Sequence, residues 1–495
     1  MKASQFINRV NWVWRNLLIW THNILTLVPH PDEASALSFQ RPRDEDENAK
    51  TRPPAEYEGH MQCVWAVELY TPSDLPELQA GLVKLGLADD IYLSGRDPLS
   101  FMLEARDRSV GGSWSNLGFI RKREDRRLYT NARIGPLPGQ VEMASLGLYQ
   151  LTPAITAIAA CFFLTQKSAS RPLDILREER KSKFKPLGRG YTVLTPAHLK
   201  RDELEEFRAG LRAELHEWFA VQLPGLFARS PLRRFPTCEF WIYSSAGEHA
   251  GKMDNLLGLP IYHSWSSTDW PGVRFLWPLD RTRREWFHAT LAAEREVLAS
   301  LDVSSYGAQP DVYPYVFEHP FGGLLVRWAL LSAFAEFRAR LSHQRDNRLG
   351  LPRNASKALR SMEAMILETA DIDAVCNDLQ DSGERNFAWQ DDYAEFIESG
   401  SLRTKPERHL RAVLRDAVQA EAVSIYQMDH RLKSLALQQG NILATAQTLR
   451  LQRVVGLLTV IALFIAAVSA IEPLEKISKH FSWLLPRNLI TTTRQ

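Results

Sequence analysis

Side chains able to do chemistry gather between residues 249 and 281. His249, Asp254, His263 and Asp269 lie in one loop-rich stretch and supply imidazole and carboxylate, two ligand types that suit a transition metal. Their spacing follows no metal motif, polar surface is the simpler reading, and no metal is expected. Ser264 stands next to His263, but the flanking glycines of a nucleophile elbow are missing, so hydrolysis is not expected either. Trp265, Trp270 and Trp277 occur with Arg274 and Arg281. Flat rings and guanidinium planes can stack a base, but a tryptophan-rich core uses the same letters, and no nucleic-acid partner is expected.

Asp371, Asp373, Asp378 and Asp381 lack the glycine and closing glutamate of a calcium loop and read as the solvated face of a helix. The basic run Arg171–Arg189 reads as a solvated connector, with anionic lipid headgroups as the alternative partner. No P-loop, GxGxxG, HExxH or GxSxG is present. The sequence therefore predicts no catalytic residue and no cofactor, and does not name a ligand.

The element that must position everything else runs from Glu407 to Ile471 and reads as one long helix. Val454 to Ile471 carries no charge. At about 1.5 Å per residue it reaches about 27 Å, close to the ~30 Å core of a bilayer. Arg450 and Arg453 close one end, and Glu472-Pro473 is expected to stop the helix at the other. Gly456 lies inside this span, and Ala462, Ala466 and Ala470 give it a small-residue face for close helix approach. The alternative to a membrane span is a helix buried in the protein core. Upstream, a three-four repeat carries Ile425, Met428, Leu432, Leu435, Ile442 and Leu449, interrupted by Glu421 and Gln439. Such a repeat makes either a coiled-coil seam between copies or a stripe packed on the chain's own body.

The remaining chain reads as α+β. Residues 1–30 suggest an amphipathic helix (Trp12, Trp14 and Trp20 with Ile7, Val10 and Leu17), and 31–60 a flexible linker rich in Pro, Asp, Glu and Arg. A mixed, mainly antiparallel sheet domain is expected over 61–282, with strands at Met61–Tyr70, Ile91–Leu93, Ser100–Glu104, Trp114–Ile120, Arg127–Ile134, Cys238–Tyr243 and Val273–Trp277. Asp74 is the expected cap of a short helix. Leu146–Thr165 is uncharged and long enough to span, but Thr152-Pro153 at its middle and basic residues on both flanks favour two buried strands joined at Leu151–Ala154. A helix is expected from Pro196, capped by Thr195, to Val221. A helical region follows over 283–405, with helices at 283–301, 322–345, 356–380 and 389–398. The stalk helix then occupies 406–453, the span 454–471 and a short tail 472–495.

With 60 basic and 58 acidic side chains the net charge is +2, so no bulk polyanion partner is implied. Four cysteines stand far apart with no CxxC and read as reduced thiols in a cytosolic compartment. Phe6–Leu27 is broken by Arg9, Arg15 and His22 and has no cleavage site, so it does not read as a signal peptide, and the bulk of the chain is expected in the cytoplasm. The order of parts (soluble α/β domain, long stalk, membrane segment) resembles that of CorA-type ion transporters. That family's Gly-Met-Asn sequence is absent after the span, where Glu472-Pro473-Leu474 stands, and a second span is missing. The resemblance therefore implies a layout and no residue roles. The expected function is a single-pass membrane protein with a sensing or scaffolding domain, self-associating through its stalk. A pore or ion-transport subunit is the alternative, its conduit lined by little beyond Thr459 and Ser469.

Overall fold

The computed structural model describes residues 14, 17, 31–54, 57–88, 98–107, 113–122, 132–187, 190–231, 234–244, 264–277, 287–300, 313–348, 355–380, 394–399 and 407–481. The chain divides into two compact units, the first comprising Met1–Arg340 with Asp371–Gln427 and the second Leu341–Ala370 with Met428–Gln495.

The first unit is built on a ten-stranded mixed sheet. In chain order its strands are β1 (Gly59–Tyr70), β2 (Ser113–Arg121), β3 (Ala132–Ile134), β4 (Val141–Thr152), β5 (Ile155–Leu164), β8 (Thr237–Tyr243), β9 (Ser264–Ser267), β10 (Val273–Leu276), β11 (His288–Glu294) and β12 (Phe396–Glu398). A separate hairpin holds β6 (Lys183–Leu187) and β7 (Gly190–Leu194). The spatial order is β12-β9-β10-β11-β8-β1-β5-β4-β2-β3, and every neighbouring pair is antiparallel except β11–β8 and β2–β3.

β5 is buried along its whole length, and β1 from Cys63 to Tyr70, so the central strands are covered on both faces. The uncharged run at 146–165 is therefore the β4–β5 hairpin, turning at Pro153-Ala154. Register identifies the two covers. Phe162 lies opposite Val64, and Phe240 opposite Cys63, so these phenylalanines face opposite ways. Phe162 meets Trp218 and Phe219 of α5 (Pro196–Gln222) edge-on, with centroids 5.2 and 6.1 Å apart. Phe240 meets Phe321 of α7 (Tyr313–Arg348) at 6.5 Å.

Several expectations are corrected. Residues 31–51 form helix α1 (Pro31–Thr51) where a flexible linker was expected. Its composition cannot make a core, but Asp44 accepts from the N–H of Ser182 at 2.9 Å and Asn48 donates to the Arg180 carbonyl at 2.8 Å, so polar bonds hold it. Asp74 does not cap α2 (Leu75–Lys84) with its side chain. Its carboxylate turns back to the Thr71 N–H at 3.0 Å. Gly86 ends α2 at φ 68°, with Gly86 N–H to Val83 O at 3.0 Å and Leu87 N–H to Leu82 O at 2.9 Å, a Schellman closure. Residues 98–107 are helix α3 (Pro98–Asp107) rather than a strand, because Met102, Leu103 and Glu104 are good helix formers. Within the expected helix at 283–301, His288–Glu294 form β11 and Arg295–Ser300 are helical, and within that expected at 389–398, Phe396–Glu398 form β12. β11 holds three alanines and a leucine among its seven residues, which read as helix, but β8 and β10 pair with it on both sides and tertiary pairing overrides propensity. α4 (Gln166–Arg177) and α6 (Arg295–Ser300) complete this part of the chain.

Helix α8 (Ala355–Gln380) contributes its last turns, from Asp371 onward, to the first unit, where two carboxylates expected on a solvated face make contacts instead. Asp371 accepts from Thr71 Oγ1 at 2.8 Å and from the Ser73 hydroxyl. Asp378 accepts from the N–H of Ala154 in the β4–β5 turn at 2.7 Å.

Helix α9 runs unbroken from Leu410 to Phe481, 72 residues or roughly 108 Å. The expected stop at Glu472-Pro473 is absent. An internal proline forfeits one i→i−4 bond, which a long helix tolerates at the cost of a kink. In the first unit Leu410, Leu414, Val418, Ala422 and Ile425 of α9 are buried. There Glu421 pairs with Arg338 at 2.6 Å, and the Ala422 carbonyl accepts from Gln380 at 3.2 Å. In the second unit Met365, Ala436 and Leu432 pack together, and Lys433 neutralises buried Asp429 at 2.6 Å.

Candidate functional site: an exposed apolar helix and a polar cleft

Among the described residues one helix is long and apolar enough to cross a membrane, and it is α9. Every large apolar side chain from Val454 to Val468 is between 45 and 70 % exposed. A Cβ on Gly456 would also meet open space. Thr459 Oγ1 donates to the Val455 carbonyl and Ser469 Oγ to that of Ile465, both at 2.8 Å, so the hydroxyl donors are satisfied within the helix itself. Ala462 and Ala466 are exposed on it, whereas the side chain of Ala470 lies outside the described residues.

The three-four stripe on α9 splits along its length. Ile425 is buried in the first unit, Met428 and Leu432 are half-buried, and Leu435, Ile442 and Leu449 are 56, 68 and 52 % exposed. Its early turns thus pack on the chain's own body, and the later ones have no cover.

A second candidate is a cleft of ≈ 890 Å³ in the first unit, at the end of the sheet where β1 starts and β5 finishes. Two β-bulges shape it. The register of β1 against β8 slips between Met61 and Cys63, leaving Gln62 as the extra residue. The register of β4 against β5 slips between Val141 and Met143, leaving Glu142 extra. Bulges re-aim side chains, and both of these line the cleft, either side of Leu164. His60 bonds Gln62 Oε1 through Nε2 at 2.8 Å. Burial, and then Arg295, push its pKa down against the Gln62 bond, so the ring stays neutral at neutral pH. Arg295 is paired with Glu58. Arg177, at the end of α4, donates to the Tyr57 carbonyl at 3.0 Å and meets no carboxylate among the described residues. Leu164, Ala169, Leu173, Ile242 and Leu298 supply the apolar wall.

The residues first singled out for chemistry fall only partly within the described residues. His249, Asp254, His263, Arg281 and Asp381 lie outside the described residues, as do Trp12, Trp20 and the strand expected at Ile91–Leu93. Asp269 accepts from the Glu395 N–H at 3.4 Å. Ser264 opens β9, and its backbone carbonyl accepts from Ser399 at 2.8 Å. Trp265 and Trp277 are fully buried, Trp270 stands edge-on to Phe321 at 5.3 Å, and the Arg274 guanidinium lies over the Tyr243 ring at 5.7 Å. The described part of this cluster is core rather than a stacking platform. Of the basic run, Arg171 and Arg180 each bridge Glu178 and Glu203, and Arg171 holds the Glu178 pKa below its usual range.

Sequence reasoning missed the cleft. Its signal was present but faint: Gln62 and Glu142 are polar interruptions at the edges of two apolar runs, where a bulge is one way to keep a polar side chain out of the core. Comparison with known proteins finds no matching family model, no matching curated protein and no matching solved structure.

Proposed function

We propose that this is a single-pass membrane protein. In this reading α9 crosses the bilayer between Val454 and Ile471, and the first unit is a cytoplasmic sensing or scaffolding domain anchored by it. The observation that carries the reading is the uncovered apolar helix. Ten large side chains between Val454 and Val468 are at least 45 % exposed. At ~1.5–3 kcal/mol for each side chain fully transferred out of water, covering them releases on the order of 10 kcal/mol or more. That is comparable with the whole stability of an ordinary domain, so the segment demands a cover, and lipid provides one of the right thickness. Four free, buried cysteines support placing the bulk of the chain in a reducing compartment. The bare stripe at Leu435, Ile442 and Leu449 supports self-association in the stalk.

Fractionation tests this. The full chain should pellet with membranes and resist extraction by high salt and alkaline carbonate, whereas a chain ending at Arg450 should be recovered without detergent. Recovery of the full chain from lysate supernatant in the absence of detergent would overturn the anchor. Ion flux through liposomes carrying the full chain would move the reading to a transport subunit.

A further inference from the structure

We infer that the cleft at the bulged end of the sheet binds an aliphatic monocarboxylate, its head group on Arg177 and its chain along the apolar wall. Arg177 and Arg295 both line the cavity, and they attach to consecutive residues. Arg177 donates to the Tyr57 carbonyl at 3.0 Å, and Arg295 pairs with the Glu58 carboxylate. Two guanidinium charges thus converge on the 57–58 segment ahead of β1, where Glu58 supplies one carboxylate. The Tyr57 carbonyl fixes Arg177 without neutralising it. The planar fork of that exposed guanidinium fits a carboxylate in a charge-assisted, two-point bond. One unbalanced cation suits one negative charge rather than two. Glu142 borders the cavity but is already engaged, and no ligand group is assigned to it.

The rest of the lining fits the same ligand. Leu164, Leu173, Ile242 and Leu298 are buried side chains that border the cavity, so a hydrocarbon chain laid on them leaves water. Among the described residues no Phe, Tyr or Trp lines it, which favours an aliphatic body over a ring or base that needs a stacking partner. Gln62 Oε1 can only accept, so His60 Nε2 donates to it at 2.8 Å. The Gln62 NH2 group remains as a donor, which suits an anion. The cavity volume of ≈ 890 Å³ falls in the range of small-molecule sites. The inference rests on the sensing reading and deepens it by naming a ligand class. It is independent of the anchor, because every lining residue belongs to the first unit.

The test is calorimetric titration of the full chain in detergent micelles with acetate, butanoate and hexanoate at neutral pH, empty micelles serving as the blank. Affinity should rise about three- to fourfold for each added methylene. Hexanamide keeps the chain without the charge and should bind about tenfold or more weakly than hexanoate. Arg177→Gln should lose the preference for the acid while its affinity for hexanamide stays unchanged. Arg177→Lys keeps the charge without the fork, and its preference should fall between the two. Arg177 is exposed, so both variants keep the fold, checked by unchanged circular dichroism. Absence of hexanoate binding, equal binding of hexanamide, tighter binding of hexyl phosphate, or an Arg177→Gln variant that still prefers the acid would each overturn the proposal. Membrane fractionation of the same samples reports separately on the anchor.

Discussion

Glu68 has no exposure at all and accepts three backbone N–H bonds, from Leu69 at 3.0 Å and from Phe227 and Ala228 at 2.8 Å each. Burial raises its pKa from 4.5 to about 8, against the pull of those amides. The folded state therefore keeps a proton that the unfolded state has released above 4.5. Stability contributed here is full below about 4.5, declines as pH rises towards about 8, and is level beyond. The denaturant midpoint of the first unit should fall across that window, and Glu68→Gln should flatten the profile while lowering stability by roughly 1–3 kcal/mol, because a Gln amide cannot accept all three bonds. A profile that is equally steep in the Gln variant would exclude Glu68 as its source. Nothing in the sequence disclosed this residue. A glutamate in a strand reads as the solvent side of an alternating pattern, and only the approach of Gly225, where a Cβ would lie 2.8 Å from Glu68 Cγ and 2.6 Å from the Leu69 carbonyl, brings the amides of 227 and 228 within reach.

Between elements, close approach and polar ties decide stability more than area does. Gly81 of α2 sits where a Cβ would lie 2.4 Å from the Gln222 carbonyl at the end of α5. Alanine there would gain about 1 kcal/mol of helix propensity, but forcing two backbones apart costs about 1–3 kcal/mol. Gly81→Ala should therefore lower the denaturant midpoint, and a raised midpoint would show that the contact yields easily. Asp378 holds the β4–β5 turn, so Asp378→Ala should cost roughly 1–3 kcal/mol by stranding the Ala154 N–H, with earlier hydrogen exchange at that amide as the direct readout. The hairpin itself was legible, because an uncharged run interrupted at Thr152-Pro153 has few other solutions. α1, α3, β11 and β12 were not. In each, local composition pointed one way and distant partners, such as the 180–182 backbone for α1 or β8 for β11, settled the matter.

At the scale of the whole molecule, a single helix shares its turns between two units. Its early turns are sealed by its own chain and its later ones are bare. Cysteine at Ile442 or Leu449 should crosslink between copies under mild oxidation, since the native thiols are buried and do not compete. Cysteine at Val418, buried in the first unit, should not. Crosslinking that fails at both bare positions would leave lipid as the sole cover of α9. The periodicity from Leu410 onward was readable in the letters, but where it changes partner was not, because a repeat specifies a face and not what lies against it.

The β4–β5 hairpin has a consequence for the birth of the protein. A growing chain presents its translocation machinery with two uncharged stretches in turn, the first long enough to span although less hydrophobic than the one proposed to insert. Hairpins close in ~1–10 μs, while ribosomes add ~5–20 residues per second, so the earlier stretch can fold upon itself before a receptor captures it. Replacing Pro153 with leucine, which removes the turn and favours a continuous helix, should send a fraction of molecules into the bilayer twice, detectable as a second protease-protected fragment in microsomes.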